Sequence, residues 1–347
     1  MNARPGFESA PYAEFDYPFV SSTPPGGGTW CAGAAAFQVE EVPLYPFCGE
    51  GEHAALRVEK AGLATRDVAL RVAGRLKLPP SAVGYAGMKD RDATSIQGFT
   101  VTGVTEEQAR SAFEAEGCRV LSASRHRNKL RLGHLVGNRF RALLRGTDAA
   151  AAREILGELS ARGAPNYFGP QRFGAKGDNA SAALRVLTGE ARANRWRRDL
   201  LVSAAQAFIF NEVLARRVEA GTLRRALRGD LLRRADSGGL FLCEAEEADQ
   251  PRVERLEVSA TGPLPGKKMM KPGGLPGELE ACVLSDLGVS EALFQRELGT
   301  RRALVVPIDG ASVEEAPEGI WVSFTAPAGT FATSVLRELT GGNLRRD

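Results

Sequence analysis

The strongest constraint on the fold is a change of periodicity partway along the chain. Phe37 to Val42, Ala54 to Glu59 and Gly98 to Gly103 read as strands, through β-branched and aromatic enrichment or alternation of apolar and polar residues. From about Gly163 helical patterns take over, at Ala180 to Leu187, Leu200 to Val218 and Leu223 to Leu227. Strand character returns at Arg302 to Pro307 and Gly319 to Thr325, before a terminal helix from Thr330 to Leu339 behind a Pro327-Ala328-Gly329 turn. A β-rich beginning, a helical middle and a β-rich end describe one domain interrupted by another. No internal repeat of solenoid period competes with that reading.

Local signals fill in the connections. Residues 1–36 are rich in Pro and Gly and predict a loosely structured start. Thr65 is placed to cap a helix through Leu76 that Pro79-Pro80 stops, and a second helix is expected from Glu106 to Glu116. In the long central helix Gln206 and Asn211 interrupt an apolar stripe, and satisfied structural hydrogen bonds are the plainer reading of both. The run Thr261 to Gly274 is a glycine- and proline-rich loop with three lysines, without Walker or dinucleotide spacing.

Composition excludes several classes. With 347 residues, 43% hydrophobic and 25% charged, the chain has the make-up of a globular protein of two or three domains, not a disordered or fibrous one. Its five cysteines are scattered, with no C-x-x-C spacing and no adjacent histidines, so neither a disulfide framework nor a metal site is expected. Met1 to Val20 lacks a basic start and apolar core, and no apolar run approaches membrane-spanning length, so the expectation is a cytoplasmic protein with no membrane partner. A net charge of +3 means that any nucleic-acid role must rest on where the cations lie.

One place is Gly84-Tyr85-Ala86-Gly87-Met88-Lys89-Asp90-Arg91-Asp92. Here a carboxylate, Asp90, stands between two cations on a glycine-punctuated turn, and Lys89 and Arg91 would favour its ionised form. An ionised carboxylate can act as nucleophile or general base, which makes Asp90 the candidate catalytic residue. A charge triplet alone is more often a solvated turn. Another place is Arg119 to Thr147, which contains no acidic residue. If Arg125 to Leu132 were a strand, Arg125, Arg127, Lys129 and Arg131 would project from one face at intervals of about 6.6 Å, a spacing suited to successive phosphates. A solvated edge strand gives the same sequence pattern.

Several unusual runs accompany the Asp90 loop: Gly137-Asn138-Arg139-Phe140, Asn166-Tyr167-Phe168-Gly169-Pro170-Gln171-Arg172-Phe173-Gly174, Ser203-Ala204-Ala205-Gln206-Ala207-Phe208-Ile209-Phe210-Asn211 and Pro327-Ala328-Gly329-Thr330-Phe331-Ala332-Thr333-Ser334. In order and spacing they closely resemble the TruD family of tRNA pseudouridine synthases, over roughly the whole chain after Gly26. The resemblance implies an α+β protein. Its pseudouridine synthase domain, with a mixed, largely antiparallel sheet, would comprise residues 1–162 and 306–347, and a family-specific α/β insertion would occupy 163–305. It further implies isomerisation of uridine 13 of tRNA to pseudouridine with no cofactor and no metal, Asp90 matching the family's nucleophile. Phe37, Asn138 and Phe331 fall where the family contacts the substrate uridine, with Phe140 an aromatic wall beside them. Lys89, Arg91, Arg125, Arg127, Lys129, Arg131 and Arg172 are the candidates for the RNA backbone. The expected partner is tRNA, and no obligate protein partner is inferred.

An N-glycoside becomes a C-glycoside only if the C1′–N1 bond breaks, the base turns and C5 rejoins C1′. A carboxylate can add to the base or the sugar or can remove a sugar proton, and the sequence does not choose among these. A base buried in structured RNA must first be extruded, hence the expectation of aromatic partners. One departure stands out. The family commonly carries a lysine six residues before the phenylalanine at Phe37, then a P-E-D triplet; here these are Cys31 and Ala34-Ala35-Ala36. If that lysine supports the carboxylate, Lys89 or Arg91 must replace it. The alternatives are an RNA-binding protein or tRNA chaperone on the same scaffold, and, less favoured for want of a second well-placed carboxylate, a glycosidase.

Overall fold

A computed structural model describes residues 17–174 and 176–345, without the side chain of Arg345. The expectation of a loose start over 1–36 therefore lies partly outside the described residues. The chain forms two compact units. One comprises residues 25–156, 308–329 and 343–347, and the other residues 1–24, 157–307 and 330–342.

The first unit is built on a mixed sheet. Its main order is Asp309–Ala316, Gly319–Pro327, Leu135–Arg145, Phe37–Pro43, Thr94–Thr102, His53–Ala61, Arg119–His126. Every neighbouring pair in that order is antiparallel except the central one, Phe37–Pro43 with Thr94–Thr102. Period-two alternation in Phe37–Pro43 and His53–Ala61 gives the sheet a buried face. On His53–Ala61 and Thr94–Thr102 that face carries Leu56, Val58, Phe99 and Val101. They pack with Val68 and Val72 of the helix Thr65–Arg75 and with Ala109 and Phe113 of the helix Glu106–Glu114. Phe99 and Phe113 are fully buried, each contributing about 2–3 kcal/mol. Thr105 and Gln108 close a capping box on the second helix. Thr65 is not the cap expected of it: the residue before the helix is Ala64, without a side-chain cap, and the Thr65 hydroxyl is engaged elsewhere.

The second unit is centred on the helix Arg195–Glu219, whose middle is buried on nearly every side. An antiparallel sheet in the order Leu240–Leu242, Leu231–Arg234, Val258–Leu264, Thr300–Ala303 belongs to the same unit. Residues 223–227, expected as a helix, are not helical: 223 and 224 form a turn and 225–227 have no regular structure. Here Arg217 sends its guanidinium to Asp230, and to the carbonyls of Thr222 and Arg225, so the segment caps a buried ion pair and does not continue a helix. Asn211 donates to the carbonyl of Phe168 at 3.0 Å and accepts from its N–H at 2.8 Å, and Gln206 donates to the carbonyl of Pro265 at 2.7 Å. Both are the structural hydrogen bonders the sequence suggests.

Glu158 anchors the described start of the chain. Its carboxylate accepts from the N–H and hydroxyl groups of Ser22 and Thr23 at 2.7 to 2.9 Å. Burial opposes the charge, but these four donors outweigh it and hold the carboxyl down at about 2. Since the folded value lies below the ordinary carboxyl value, the stabilisation is present above pH 4.5 and is lost as pH falls toward 2. Glu158→Gln should cost about 1 kcal/mol at neutral pH, the site being partly exposed. Denaturant unfolding of both proteins should show the gap closing between pH 4.5 and pH 2; an equal gap at pH 7 and pH 2.5 would rule out this account.

Candidate active site

The Asp90 loop joins the short strand Val83–Tyr85 to Thr94–Thr102. Because Thr94–Thr102 runs parallel to Phe37–Pro43, the two strands begin side by side, with Gln38 opposite Thr94. The loop therefore enters the sheet at the parallel seam between these two strands. The segment before Phe37 clamps the loop's exit: Gly33 donates its N–H to the Asp92 carbonyl at 3.1 Å, and the Thr94 hydroxyl donates to the Ala34 carbonyl at 2.8 Å.

Lys89 turns inward. Its ammonium donates to Asn138 Oδ1 at 2.7 Å and to Glu41 Oε2 at 3.2 Å, and all three side chains are at most 9% exposed. Sheet register makes this possible, since Glu41 and Asn138 lie directly opposite on neighbouring antiparallel strands. Glu41 Oε1 also accepts from the N–H of Gly98 at 3.2 Å. Burial pushes the Lys89 ammonium below its ordinary value and Glu41 pulls it back.

The loop backbone is held from its other side. The Thr65 hydroxyl accepts from the Lys89 N–H at 2.9 Å and donates to Gln97 Oε1 at 2.7 Å, while Gln97 Nε2 donates to the Gly87 carbonyl at 3.1 Å. Thr65 and Gln97 are essentially inaccessible, so water cannot take over these bonds. The glycines of the loop serve close approach: a Cβ on Gly87 would stand 2.6 Å from Lys89 Nζ and 3.0 Å from Glu41 Oε2. Neither Gly84 nor Gly87 uses the left-handed backbone.

Asp90 itself is exposed. The cations beside it in sequence do not pair with it. Lys89 is committed to Glu41 and Asn138, and Arg91 faces Asp92 at 3.5 Å, with both members exposed. The buried cation whose charge Asp90 favours is Lys60, opposite Ser95 on the adjacent strand and donating to the Leu63 carbonyl at 2.6 Å. Burial pushes its ammonium down to about 8, with Asp90 acting in the opposite sense.

Phe37, Val39 and Glu41 alternate onto one face of their strand, and Asn138 and Phe140 share that face on the next strand. The rings of Phe37 and Phe140 are parallel at 6.1 Å between centroids, with Trp30 edge-on to Phe37 at 5.2 Å. Thus Phe37, Asn138, Phe140 and, through Lys89, the Asp90 loop are brought together within the first unit. Phe331 and Arg172 belong to the second unit, where Phe331 lies 5.6 Å from Phe168.

The single-face rail of cations does not form. The strand covers Arg119–His126 and ends there, so Arg127, Lys129 and Arg131 do not continue its alternation. Arg125 is used structurally, donating to the carbonyls of Gly51, Glu52 and Val104. Arg127 pairs with Glu50, and Lys129 donates to the Ser81 carbonyl. The missing acids that made the stretch look like a rail are supplied from other segments. Glu41, Lys60 and Gln97 carry no local signal beyond polarity within apolar alternation, and Thr65 signals only the start of a helix. That signal, a charged residue at an inward position of a strand, is the one that could have found Glu41 and Lys60.

Among the described residues no group of three or more His, Cys, Asp or Glu side chains is arranged to hold a metal ion, and no helix is long and apolar enough to cross a membrane. A family model described as tRNA pseudouridine synthase D (TruD) matches residues 16–196 and 179–339. A protein named tRNA pseudouridine synthase D from Anaeromyxobacter dehalogenans is 43% identical over 94% of this chain and 97% of its own. One of the same name from Thermus thermophilus is 40% identical over 93% of this chain and 92% of its own. Among solved structures, a protein described as a candidate tRNA pseudouridine synthase D from Methanosarcina mazei superposes with a TM-score of 0.70, at 22% identity, over 94% of this chain and 96% of that one. That likeness shows the fold.

Two outcomes follow from the buried network. Thr65→Val keeps the shape and removes the hydroxyl, so uridine turnover should fall at least about tenfold with little change in RNA affinity, and Thr65→Ser should restore it. Equal turnover in the valine variant would dismiss Thr65 as a positioning residue. For Lys60 the folded value lies below the ordinary 10.5, so the cost of burying its charge is fully present below pH 8 and is relieved as pH rises from 8 to 10.5. Relative to Lys60→Met, the native protein should therefore gain on the order of 1–3 kcal/mol across that window in denaturant titrations, and parallel curves would contradict it.

Proposed function

Since the chain belongs to the tRNA pseudouridine synthase D family, we propose that it isomerises uridine 13 of tRNA to pseudouridine with Asp90 as the catalytic nucleophile or base. The observation that carries the assignment to Asp90 is the contrast between an exposed carboxylate and the buried network beneath its loop. A reactive group must be accessible and must not wander. Here the side chain meets solvent while the neighbouring residue, Lys89, is fixed by its ammonium and its N–H.

In this reading Asp90 promotes cleavage of the C1′–N1 bond, the freed uracil turns while it stays bound, and C5 bonds to C1′. The proton leaving C5 balances the one gained at N1, so the net change is an isomerisation without redox chemistry. Phe37 and Phe140 supply aromatic surface for the extruded base, and Asn138 supplies a polar edge whose orientation Lys89 sets. Residues 1–162 and 306–347 are assigned to catalysis and 163–305 to the family insertion. Action on tRNA places the protein in the cytoplasm.

The loss of the lysine at Cys31 favours a second reading, an RNA-binding protein or tRNA chaperone without turnover. Incubation of unmodified tRNA with the protein, followed by carbodiimide mapping, distinguishes the two. Multiple turnovers at position 13 are expected of the native protein, and none of Asp90→Asn, which should still bind tRNA within about twofold. Turnover by the asparagine variant would remove Asp90 from the chemistry. Binding without modification by the native protein would leave the chaperone.

A further inference from the structure

The central helix of the second unit, Arg195–Glu219, begins with a tryptophan set in water. Trp196 is 67% exposed and among the described residues meets no other ring and no cation, whereas Trp30 is buried and Trp321 lies under the guanidinium of Arg141. A ring of that size is seldom left so bare. Asn194 fixes the helix start by accepting from the Arg197 N–H at 2.9 Å. Successive helical residues are about 100° apart, so Trp196 sits between Arg195 and Arg197 round the axis, with a cation on either flank. The first turn holds no acidic residue. Cations there oppose the helix dipole, whose positive end is at this terminus, and other helices of the chain obey the opposite rule: Glu106–Glu114 and Glu246–Glu254 both open with acids.

The lysine-bearing loop is fastened beside this helix start. Arg195, Arg198 and Gln206 share one helix face. From that face Gln206 donates to the Pro265 carbonyl at 2.7 Å and Arg198 donates to Glu297 Oε1 at 2.6 Å. The Lys267 N–H in turn donates to the Glu297 carbonyl at 3.0 Å, and the Lys268 N–H to the Leu298 carbonyl at 2.8 Å. Lys267 and Lys268, both exposed, are therefore held on the side of the helix that carries Arg195. Glu297 is already taken by Arg198. Among the described residues Arg195, Arg197, Lys267 and Lys268 have no acidic partner. Pairing is what other surface arginines of this unit show, Arg234 with Asp236 and Arg255 with Glu257. Uncompensated cations placed against a helix dipole, round a bare indole, are what a surface shows when its counter-charge arrives with a partner.

We propose that Trp196, with Arg195, Arg197, Lys267 and Lys268, forms a stacking platform for an unpaired nucleotide of the RNA substrate, the indole taking the base and the cations the phosphates on either side of it. A nucleic-acid strand matches both features, since every base has a face to stack and every linkage carries a negative charge. An acidic polypeptide would satisfy the cations and leave the indole unmatched. The inference rests on the RNA-substrate reading above for the identity of the polyanion, and it adds an RNA contact in the second unit where Asp90 belongs to the first.

The test uses the intact protein and unmodified tRNA. Titration with tRNA should quench the tryptophan emission of the native protein, and most of that quench should vanish in Trp196→Phe, which keeps a ring and should bind within about twofold of the native protein. Trp196→Ala should weaken binding roughly five- to tenfold, with the loss appearing in KM and not in kcat. Arg195→Gln combined with Arg197→Gln should make the fall of affinity with salt shallower by about two phosphate contacts. Arg255→Gln, on an exposed arginine paired with Glu257, should leave that slope unchanged. Native affinity in Trp196→Ala, or an equal quench in the native and Trp196→Phe proteins, overturns the platform, and an unaltered salt slope in the double variant overturns its phosphate contacts. A quench by poly-L-glutamate as strong as that by tRNA overturns the nucleotide assignment in favour of an acidic protein partner. If the native protein binds tRNA with this quench but makes no pseudouridine, the catalytic reading fails and the platform stands. If pseudouridine forms and Trp196→Ala matches the native protein in affinity and KM, the platform fails and the catalytic reading stands. Should Trp196→Ala melt below the native protein, the quench lost or kept in Trp196→Phe decides.

Discussion

The bond on which the rest of the active site depends is the one from the Lys89 ammonium to Glu41 and Asn138. An ammonium without partners would not be stable at that depth, so loop, strand pairing and charge have to be satisfied together. Glu41 and Asn138 face each other because their strands are antiparallel and in register, and Lys89 reaches both because its loop enters at the parallel seam. Gly87 must lack a side chain for the ammonium to fit. Leaving Lys89 or Glu41 unpaired would cost on the order of 3–5 kcal/mol, and leaving Asn138 unpaired about 1–3 kcal/mol. The seating of the Asp90 loop is thus a consequence of the hydrogen bonds and charges beneath it.

That dependence explains what could be read from the residues alone. The strands around Phe37, Ala54, Gly98 and Gly319 are legible because alternation and β-branching report burial directly. Asp90 is legible as an unusual residue. The direction in which Lys89 points is not, because adjacent residues on a turn share no fixed geometry, and its partners lie 48 and 49 positions away. Thr65 shows the same limit. Its spacing before a helical run fits a cap, yet a stronger claim on its hydroxyl comes from Lys89 and Gln97. Phe331, placed by motif with Phe37, belongs to the other compact unit, a fact no local pattern contains.

Arginine content is a poor guide to where RNA binds in this chain. Arg125 ties together three carbonyls, and Arg217 and Arg301 each neutralise a buried acid. Counting cations along the sequence adds such residues to those that face a ligand. What separates the groups is the partner, and partners come from distant segments. The stretch from Arg119 to Thr147 looks uncompensated only because Glu50, Glu106 and Glu314 lie outside it.

The same reasoning bears on Cys31. A carboxylate in water carries its charge at neutral pH without help from a neighbouring cation, so a lysine in its vicinity is more valuable for placing it than for ionising it. Placement here has two other sources. Lys89 and Thr65 fix the loop before Asp90, and Gly33 and Ala34 hold Asp92 and Thr94 after it. The segment with Cys31 in place of the lysine therefore still serves the loop, through the Gly33 N–H and the Ala34 carbonyl, the latter a group that an alanine supplies as well as a proline. Lys60 adds a buried positive charge whose proton Asp90 favours, on a strand where it cannot swing away. A site held by register and backbone tolerates the loss of one cation better than a site held by that cation alone.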